Sequence, residues 1–202
     1  MKRYTSKIAR RYGIQLGSSP KSASVKRNYP PGIHGPKGKR KPTEYGLQLA
    51  EKQKAKVIYN ILTEKQFRLT FNRAGKIAGD TGHNLLTILE NRFDNVVYRL
   101  GLADTRPQAR QLVNHVHFLI NNKKVNIPSY IMKSGDVITL RPKSAKSKYF
   151  EKRFKEMKEG TAPGWLYMDI KKQEGKVLHA PKKEDFDHQI ETQAIVEYYS
   201  RR

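Results

Sequence analysis

Arg106 and Arg110 stand four residues apart, just after the run Thr105-Arg106-Pro107-Gln108. Thr105 and Gln108 have capping-box spacing, and proline suits a first helical turn, so a helix is predicted to start at Arg106. Ala109, Leu112 and Val113 supply its buried stripe, which leaves the two arginines together on the other face. Free amides and the helix dipole already favour an anion there. Thr105 offers a hydroxyl, and Gln111, His115 and Lys123 would widen the site across the following helix–hairpin junction. The chemistry this set suits is phosphate binding, which reads RNA by shape and backbone more than by base edges.

Other chemistries lack their parts. His115 and His117 are two apart, which on a helix points them to different sides. Asp94 is an isolated carboxylate among Arg92 and Arg99, suited to ion pairing. General acid–base work wants a second titratable group in a pocket. There are no cysteines, which excludes disulfides and thiolate metal sites. No catalytic residue, metal site or cofactor is therefore predicted. Among the aromatics, Trp165 and Tyr198 are expected in the core, and Tyr4 and Tyr29 are the better candidates to stack on bases.

The charge distribution asks for a polyanion. The 202 residues hold 41 Lys+Arg against 18 Asp+Glu, a formal net charge of +23. Residues 1–42 hold twelve basic side chains and no acid, and residues 143–158 hold seven against two, whereas residues 159–202 are nearly neutral. Tyr29-Pro30-Pro31-Gly32-Ile33-His34-Gly35-Pro36 is rigid and extended, so residues 1–42 read as an arm that threads along phosphates. Lys2, Arg3, Tyr4, Lys7, Arg10, Arg11, Lys26, Arg27, Tyr29 and His34 are its candidate RNA contacts. No apolar run approaches the ~20 residues of a spanning helix, and the basic start lacks the apolar region of a secretory signal. No membrane partner is expected.

The elements that would position these residues are short. Thr43 is a plausible N-cap for a helix over 44–59, made basic by Lys52, Lys54 and Lys56, three further RNA-contact candidates alongside Arg92. Thr63-Glu64-Lys65-Gln66 opens a second helix to about Ala78, ended by Gly79 and Gly82, and Leu85, Leu86, Ile88 and Leu89 mark a third. Phe93, Val96, Val97 and Leu100 form a helix face closed by Gly101. Phe118-Leu119-Ile120 and Val125-Asn126-Ile127 are predicted strands around a tight Asn121-Asn122 turn, followed by a strand over 137–140. Residues 144–158 suit a basic helix. Residues 165–170 and 176–178 suit strands around Glu174-Gly175. Residues 187–202 suit a helix with Ile190, Ala194, Ile195, Tyr198 and Tyr199 inward, docked on the helices of 43–90.

At these motifs the chain resembles a known family. Arg92-Phe93-Asp94-Asn95-Val96-Val97-Tyr98-Arg99-Leu100-Gly101, Thr105–Leu112, Val125-Asn126-Ile127-Pro128-Ser129-Tyr130 and Gly135-Asp136-Val137-Ile138 resemble the S-four RNA-binding domain. Tyr29–Gly35, Tyr45-Gly46-Leu47-Gln48-Leu49, Glu51-Lys52-Gln53-Lys54 and Ala194-Ile195-Val196-Glu197-Tyr198-Tyr199-Ser200 extend the resemblance to the bacterial-type S-four family of small-subunit ribosomal proteins. The resemblance implies an α+β fold: a small helical domain, an S-four-type RNA-binding domain of two helices on a short, mainly antiparallel sheet, and an extended basic N-terminal arm. The expected division is 1–42 arm, 43–90 with 187–202 helical domain, and 91–186 RNA-binding domain with its S-four-like core at 91–142.

The resemblance further implies binding of small-subunit rRNA at a multi-helix junction, support of early assembly, and neighbours in ribosomal proteins S-five and S-three. It implies a place beside mRNA at the entry tunnel, with Lys37, Lys39, Arg40 and Lys41 the basic residues nearest it, and an S-five interface that bears on decoding fidelity. A cytoplasmic ribosomal location and no homo-oligomer go with it. The chain departs from the family in one respect. Many members carry a zinc-binding cysteine cluster in the arm, where this sequence reads Lys7-Ile8-Ala9-Arg10-Arg11-Tyr12. Two other readings fit the sequence less well. An RNA-modifying enzyme that uses the S-four domain for targeting would need a catalytic domain, and none is evident outside 91–142. A non-specific polycation would bind any polyanion equally.

Overall fold

The computed structural model describes residues 6–14, 27, 29–38, 41–61, 63–157, 160, 162–186 and 189–201. The chain forms two compact units, Met1–Leu85 with Asp187–Arg202, and Leu86–Phe186.

The first unit begins with a helix, α1 (Ser6–Tyr12), where the sequence suggested only extended chain. Gly13, at φ +65°, lets Ile14 N donate back to Ala9 O, and both Ala9 and Ile14 are buried. Two apolar residues placed for a helix end were too few to show as a periodic stripe. The Pro/Gly segment then turns through a single 3-10 turn, Gly35–Lys37. Gly35 approaches Pro30 so closely that a Cβ would lie 2.0 Å from the Pro30 carbonyl oxygen.

Thr43 Oγ1 accepts from Gly46 N and opens α2 (Glu44–Ile58), whose buried face is Gln48, Lys52, Ala55 and Ile58. Thr63 Oγ1 accepts from Gln66 N and opens α3 (Glu64–Ala74). This helix stops at Ala74, short of the expected Ala78, because the following carbonyls find another partner. Asn84 Nδ2 donates to Ile77 O at 3.0 Å and to Ala78 O at 3.3 Å. Gly82 does not end α3. It lies inside α4 (Thr81–Glu90), where a Cβ would sit 2.8 Å from the Thr192 side chain.

In the second unit, α5 (Phe93–Arg99) and α6 (Arg106–Asn114) pack together beside β1 (Phe118–Ile120), β2 (Lys123–Lys124) and β3 (Val137–Leu140). Asn121 and Asn122 have φ +48° and +63°, as a tight two-residue hairpin requires. The second strand is Lys123–Lys124 and not the predicted 125–127, because the next segment serves α5 instead. Pro128 O and Tyr130 O accept from Asp94 N and Phe93 N, satisfying amides that the helix start leaves open.

The predicted single helix over 144–158 is two, α7 (Pro142–Ala145) and α8 (Lys148–Glu156). The sheet is completed by β4 (Leu166–Asp169) and β5 (Glu174–Val177), giving a five-stranded antiparallel sheet in the order β2-β1-β3-β5-β4. Glu174 and Gly175 belong to β5 rather than to the turn. Gly175 is needed there because a Cβ would meet Leu100 Cδ1 at 2.5 Å. Phe118, Ile120, Ile138, Leu140, Leu166 and Val177 face inward and share a core with Phe93, Val97, Val113, Phe150 and Trp165. Returning to the first unit, α9 (Thr192–Ser200) packs on α2, with Tyr198 4% exposed.

Candidate nucleic-acid interface

The α5–α6 pair builds its charge around two buried carboxylates. Asp94, in the first turn of α5, accepts from Arg92 Nε at 3.1 Å and Nη2 at 2.8 Å, a fork-on-carboxylate pair. Arg110 Nη1 approaches the same carboxylate at 3.5 Å. Glu90, fully buried, accepts from Arg99 at 2.9 and 2.6 Å and from Asn95 Nδ2 at 2.7 Å. Asn95 Oδ1 then accepts from Arg106 Nε at 2.8 Å, and the Arg106 guanidinium lies 4.6 Å over the Tyr98 ring. Four guanidinium groups thus gather around two carboxylates, leaving a local cationic excess.

This geometry corrects the sequence reading of α6. At 100° per residue Arg106 and Arg110 fall beside Val113, so they border the buried stripe rather than opposing it. Both are partly buried and held by α5. Burial lowers the Arg110 pKa from its ordinary value, with Asp94 opposing and Arg92 reinforcing the shift, yet a guanidinium stays charged at neutral pH. Arg110 Nη1 makes no hydrogen bond among the described residues. That nitrogen is shielded from solvent, and its nearest charged partner is Asp94 Oδ2, at 3.5 Å. Gln111, His115 and Lys123 are exposed around this pair, as is Lys124. The Thr105 hydroxyl is engaged as the cap, accepting from Gln108 N at 3.3 Å. His117 is hydrogen-bonded through Nδ1 to Ser144 Oγ at 2.9 Å, and burial, helped by His115 and Arg141, lowers its pKa.

Several predicted contacts are engaged inside the protein. Arg92 is 3% exposed and committed to Asp94. Lys52, equally buried, pairs with Glu64 at 2.9 Å and lies 4.2 Å over the Tyr198 ring. Lys56 pairs with Glu64 at 2.7 Å, and Lys54 with Glu51 at 2.8 Å. Lys52 and Lys56 read as a basic face only while Glu64, which folds onto them, is out of view, whereas Lys54 has its acid on the same helix. Arg10 donates from Nε and Nη2 to Tyr29 O and Pro30 O, both at 3.0 Å, and its guanidinium covers one face of the Tyr29 ring. Lys7, Arg11, Arg27, His34, Lys37 and Lys41 are exposed. Lys2, Arg3, Tyr4, Lys26, Lys39 and Arg40 lie outside the described residues. Among the described residues no three His, Asp or Glu side chains gather to hold a metal ion.

Comparison with known proteins fits this arrangement. The family described as "Ribosomal protein S4/S9 N-terminal domain" matches residues 1–90, and the "S4 domain" matches residues 92–138. A "Small ribosomal subunit protein uS4" of Halothermothrix orenii is 54% identical over 181 residues, spanning 90% of this chain and 86% of that protein. The chain belongs to the uS4 family of small ribosomal subunit proteins. A uS4A protein of Alkaliphilus metalliredigens is 50% identical over the whole of both chains, and uS4 of Brevibacillus brevis is 48% identical over the same extent. Within this chain, the S4-domain match covers α5, α6 and the Asn121-Asn122 hairpin, the elements that carry Arg106, Arg110 and Lys123. These relatives are ribosomal proteins, not enzymes.

Proposed function

We propose that this chain is a structural, rRNA-binding component of the small ribosomal subunit, and that the Arg106–Arg110 pair with Gln111, His115 and Lys123 grips rRNA phosphates. The observation that supports this most directly is the arginine cluster on α5–α6, four guanidinium groups around two carboxylates, bordered by the exposed Gln111, His115 and Lys123. The exposed arm residues Lys7, Arg11, Arg27 and His34 supply a second set of contacts. The finer reading follows the family. The chain binds a multi-helix rRNA junction, supports early assembly in the cytoplasm, sits beside S-five and S-three, influences decoding fidelity through S-five, and presents Lys37, Lys39, Arg40 and Lys41 toward entering mRNA. The acid-free residues 1–42 and the full-length similarity to uS4 proteins support it.

Filter binding of the full chain to folded small-subunit rRNA tests the reading. Arg106→Ala with Arg110→Ala is expected to cost about 1.5–3 kcal/mol of binding, the range for hydrogen bonds to charged groups, or roughly tenfold to a hundredfold in Kd. Circular dichroism checks that the variant stays folded. Equal affinity of parent and folded variant would remove the α5–α6 face from the interface.

A further inference from the structure

The segment 142–156 lies outside the S4-domain match yet presents an ordered row of cations. On α8, Lys148, Lys152 and Lys155 are spaced i, i+4 and i+7, which places them on one side, while Phe150 and Phe154 point the opposite way into the core. Lys143 and Lys146 are exposed just upstream. Neither Lys148 nor Lys155 has an ion pair with a described residue. Lys152 has only the exposed Glu156, at 3.7 Å, an i,i+4 contact of the weak surface kind.

A charge run is often a mobile, solvated face, but this helix is held firmly. Phe150 meets Phe118 and Tyr149 edge-on at 5.8 and 5.0 Å. Tyr149 Oη donates to Leu102 O at 3.1 Å and accepts from Gln108 Nε2 at 3.1 Å. Arg153 donates to Gly101 O at 2.6 Å and pairs with Asp104. The polar groups that point inward are therefore used to fix α8, and the lysines that point outward are left over.

We propose that the Lys148–Lys152–Lys155 row, extended by Lys143 and Lys146, is a second RNA-phosphate contact of this chain, separate from the Arg106–Arg110 site. This rests on the rRNA-binding reading above. Seven residues of helix span ~10 Å, so the three lysines can each meet a separate phosphate of one RNA strand. A protein partner fits less well, because an interface core needs apolar or aromatic anchors, and no exposed large hydrophobic residue lies on α7 or α8. The Gln108–Tyr149 hydrogen bond joins α6 to α8, so one RNA can be held at both places with fixed spacing.

The test measures binding of the full chain to folded small-subunit rRNA between 0.05 and 0.5 M KCl. Three chains are compared: the parent, K148Q/K152Q/K155Q, and the charge-matched control K171Q/K172Q/K183Q, which alters exposed lysines elsewhere. Each lost phosphate contact removes ~0.7–0.9 from the slope of log affinity against log salt. The row variant is expected to lose about 2 from that slope and roughly tenfold or more in affinity at low salt, with the control near the parent. A row variant that matches the parent, or a control that falls as far, overturns the proposal. Unchanged RNA binding with lost incorporation into subunits, in the presence of the other ribosomal proteins, would put a protein on this face and also overturn it. A parent that fails to bind rRNA defeats the broader reading instead. The single changes K148Q and K155Q, each expected to lower the slope by ~0.7–0.9, decide the matter if the triple variant unfolds.

Discussion

Asp94 sits between Arg92, which grips both its oxygens, and Arg110, 3.5 Å from one of them. Its carboxylate therefore fixes one arginine wholly inside the protein and holds a second, mostly buried, beside it. Removing a partner from a buried ion pair leaves an uncompensated charge and costs about 3–5 kcal/mol. Asp94→Ala is expected to lower unfolding free energy in urea by that amount, a large share of the ~5–15 kcal/mol typical of a whole domain. A loss below about 1 kcal/mol would mean the pair is not held as described. The sequence offered Arg92, Arg99 or another nearby base as the partner of Asp94, and Arg92 is the one that grips it. The sequence did not show that Arg106 and Arg110 turn toward Asn95 and Asp94, because that depends on how α5 meets α6. Helical periodicity, counted at 100° per residue, already puts both beside Val113, but does not show which side chains of α5 they meet.

Glu64 ties together three helices of the first unit. From the first turn of α3 it accepts from Lys52 and Lys56 of α2 and from Tyr199 of α9, the last at 2.6 Å. Burial pushes its carboxyl up, but the hydrogen bonds from Lys56, Tyr199 and Lys52 together outweigh that and lower it from 4.5 to about 2. The same carboxylate, after burial, raises the Tyr199 hydroxyl pKa. A folded-state pKa below the unfolded one adds stability above the unfolded value, which is lost as pH falls through the folded value. The Glu64 contribution is thus present above about pH 4.5 and gone near pH 2. Because the Glu64 side chain is 44% exposed, solvent screening limits its worth to about 1 kcal/mol. Glu64→Gln is expected to lower the thermal midpoint by about 2–4 °C at pH 7, with parent and variant converging near pH 2. A gap that persists at pH 2 would assign the loss to packing rather than charge. Elements governed by local chemistry, such as the helices capped by Thr43, Thr63 and Thr105 and the Asn121-Asn122 turn, were legible in the sequence. α1, the break between α7 and α8 and the two-residue β2 were not. The limit of β2 is set by residues distant in sequence, because 128–130 turns back to serve the start of α5.

At the scale of the whole chain, a net charge of +23 sets ionic strength against itself. Twelve of the cations lie in residues 1–42 with no acid among them, so the segment supplies no counter-charge of its own. Salt shortens the screening length from ~10 Å at 0.1 M to ~3 Å at 1 M, which weakens exposed like-charge repulsion first. The attractive pairs most important to the fold, Arg92–Asp94 and Arg99–Glu90, are shielded from solvent on at least one side and are screened much less. Added salt should therefore stabilise the free chain while weakening its hold on RNA. Raising KCl from 0.05 to 0.5 M is expected to increase the thermal midpoint of the free protein. Over the same range, the extra stability conferred by folded small-subunit rRNA should shrink. At 100 times Kd a bound ligand adds about 2.7 kcal/mol, and each counterion-releasing contact lowers affinity as salt rises. Differential scanning calorimetry of free and RNA-bound protein measures both trends. A free-chain midpoint that falls with salt would show that exposed ion pairs, and not repulsion among the excess cations, dominate the long-range electrostatics. If both trends hold, RNA supplies a counter-charge that this sequence does not provide for itself.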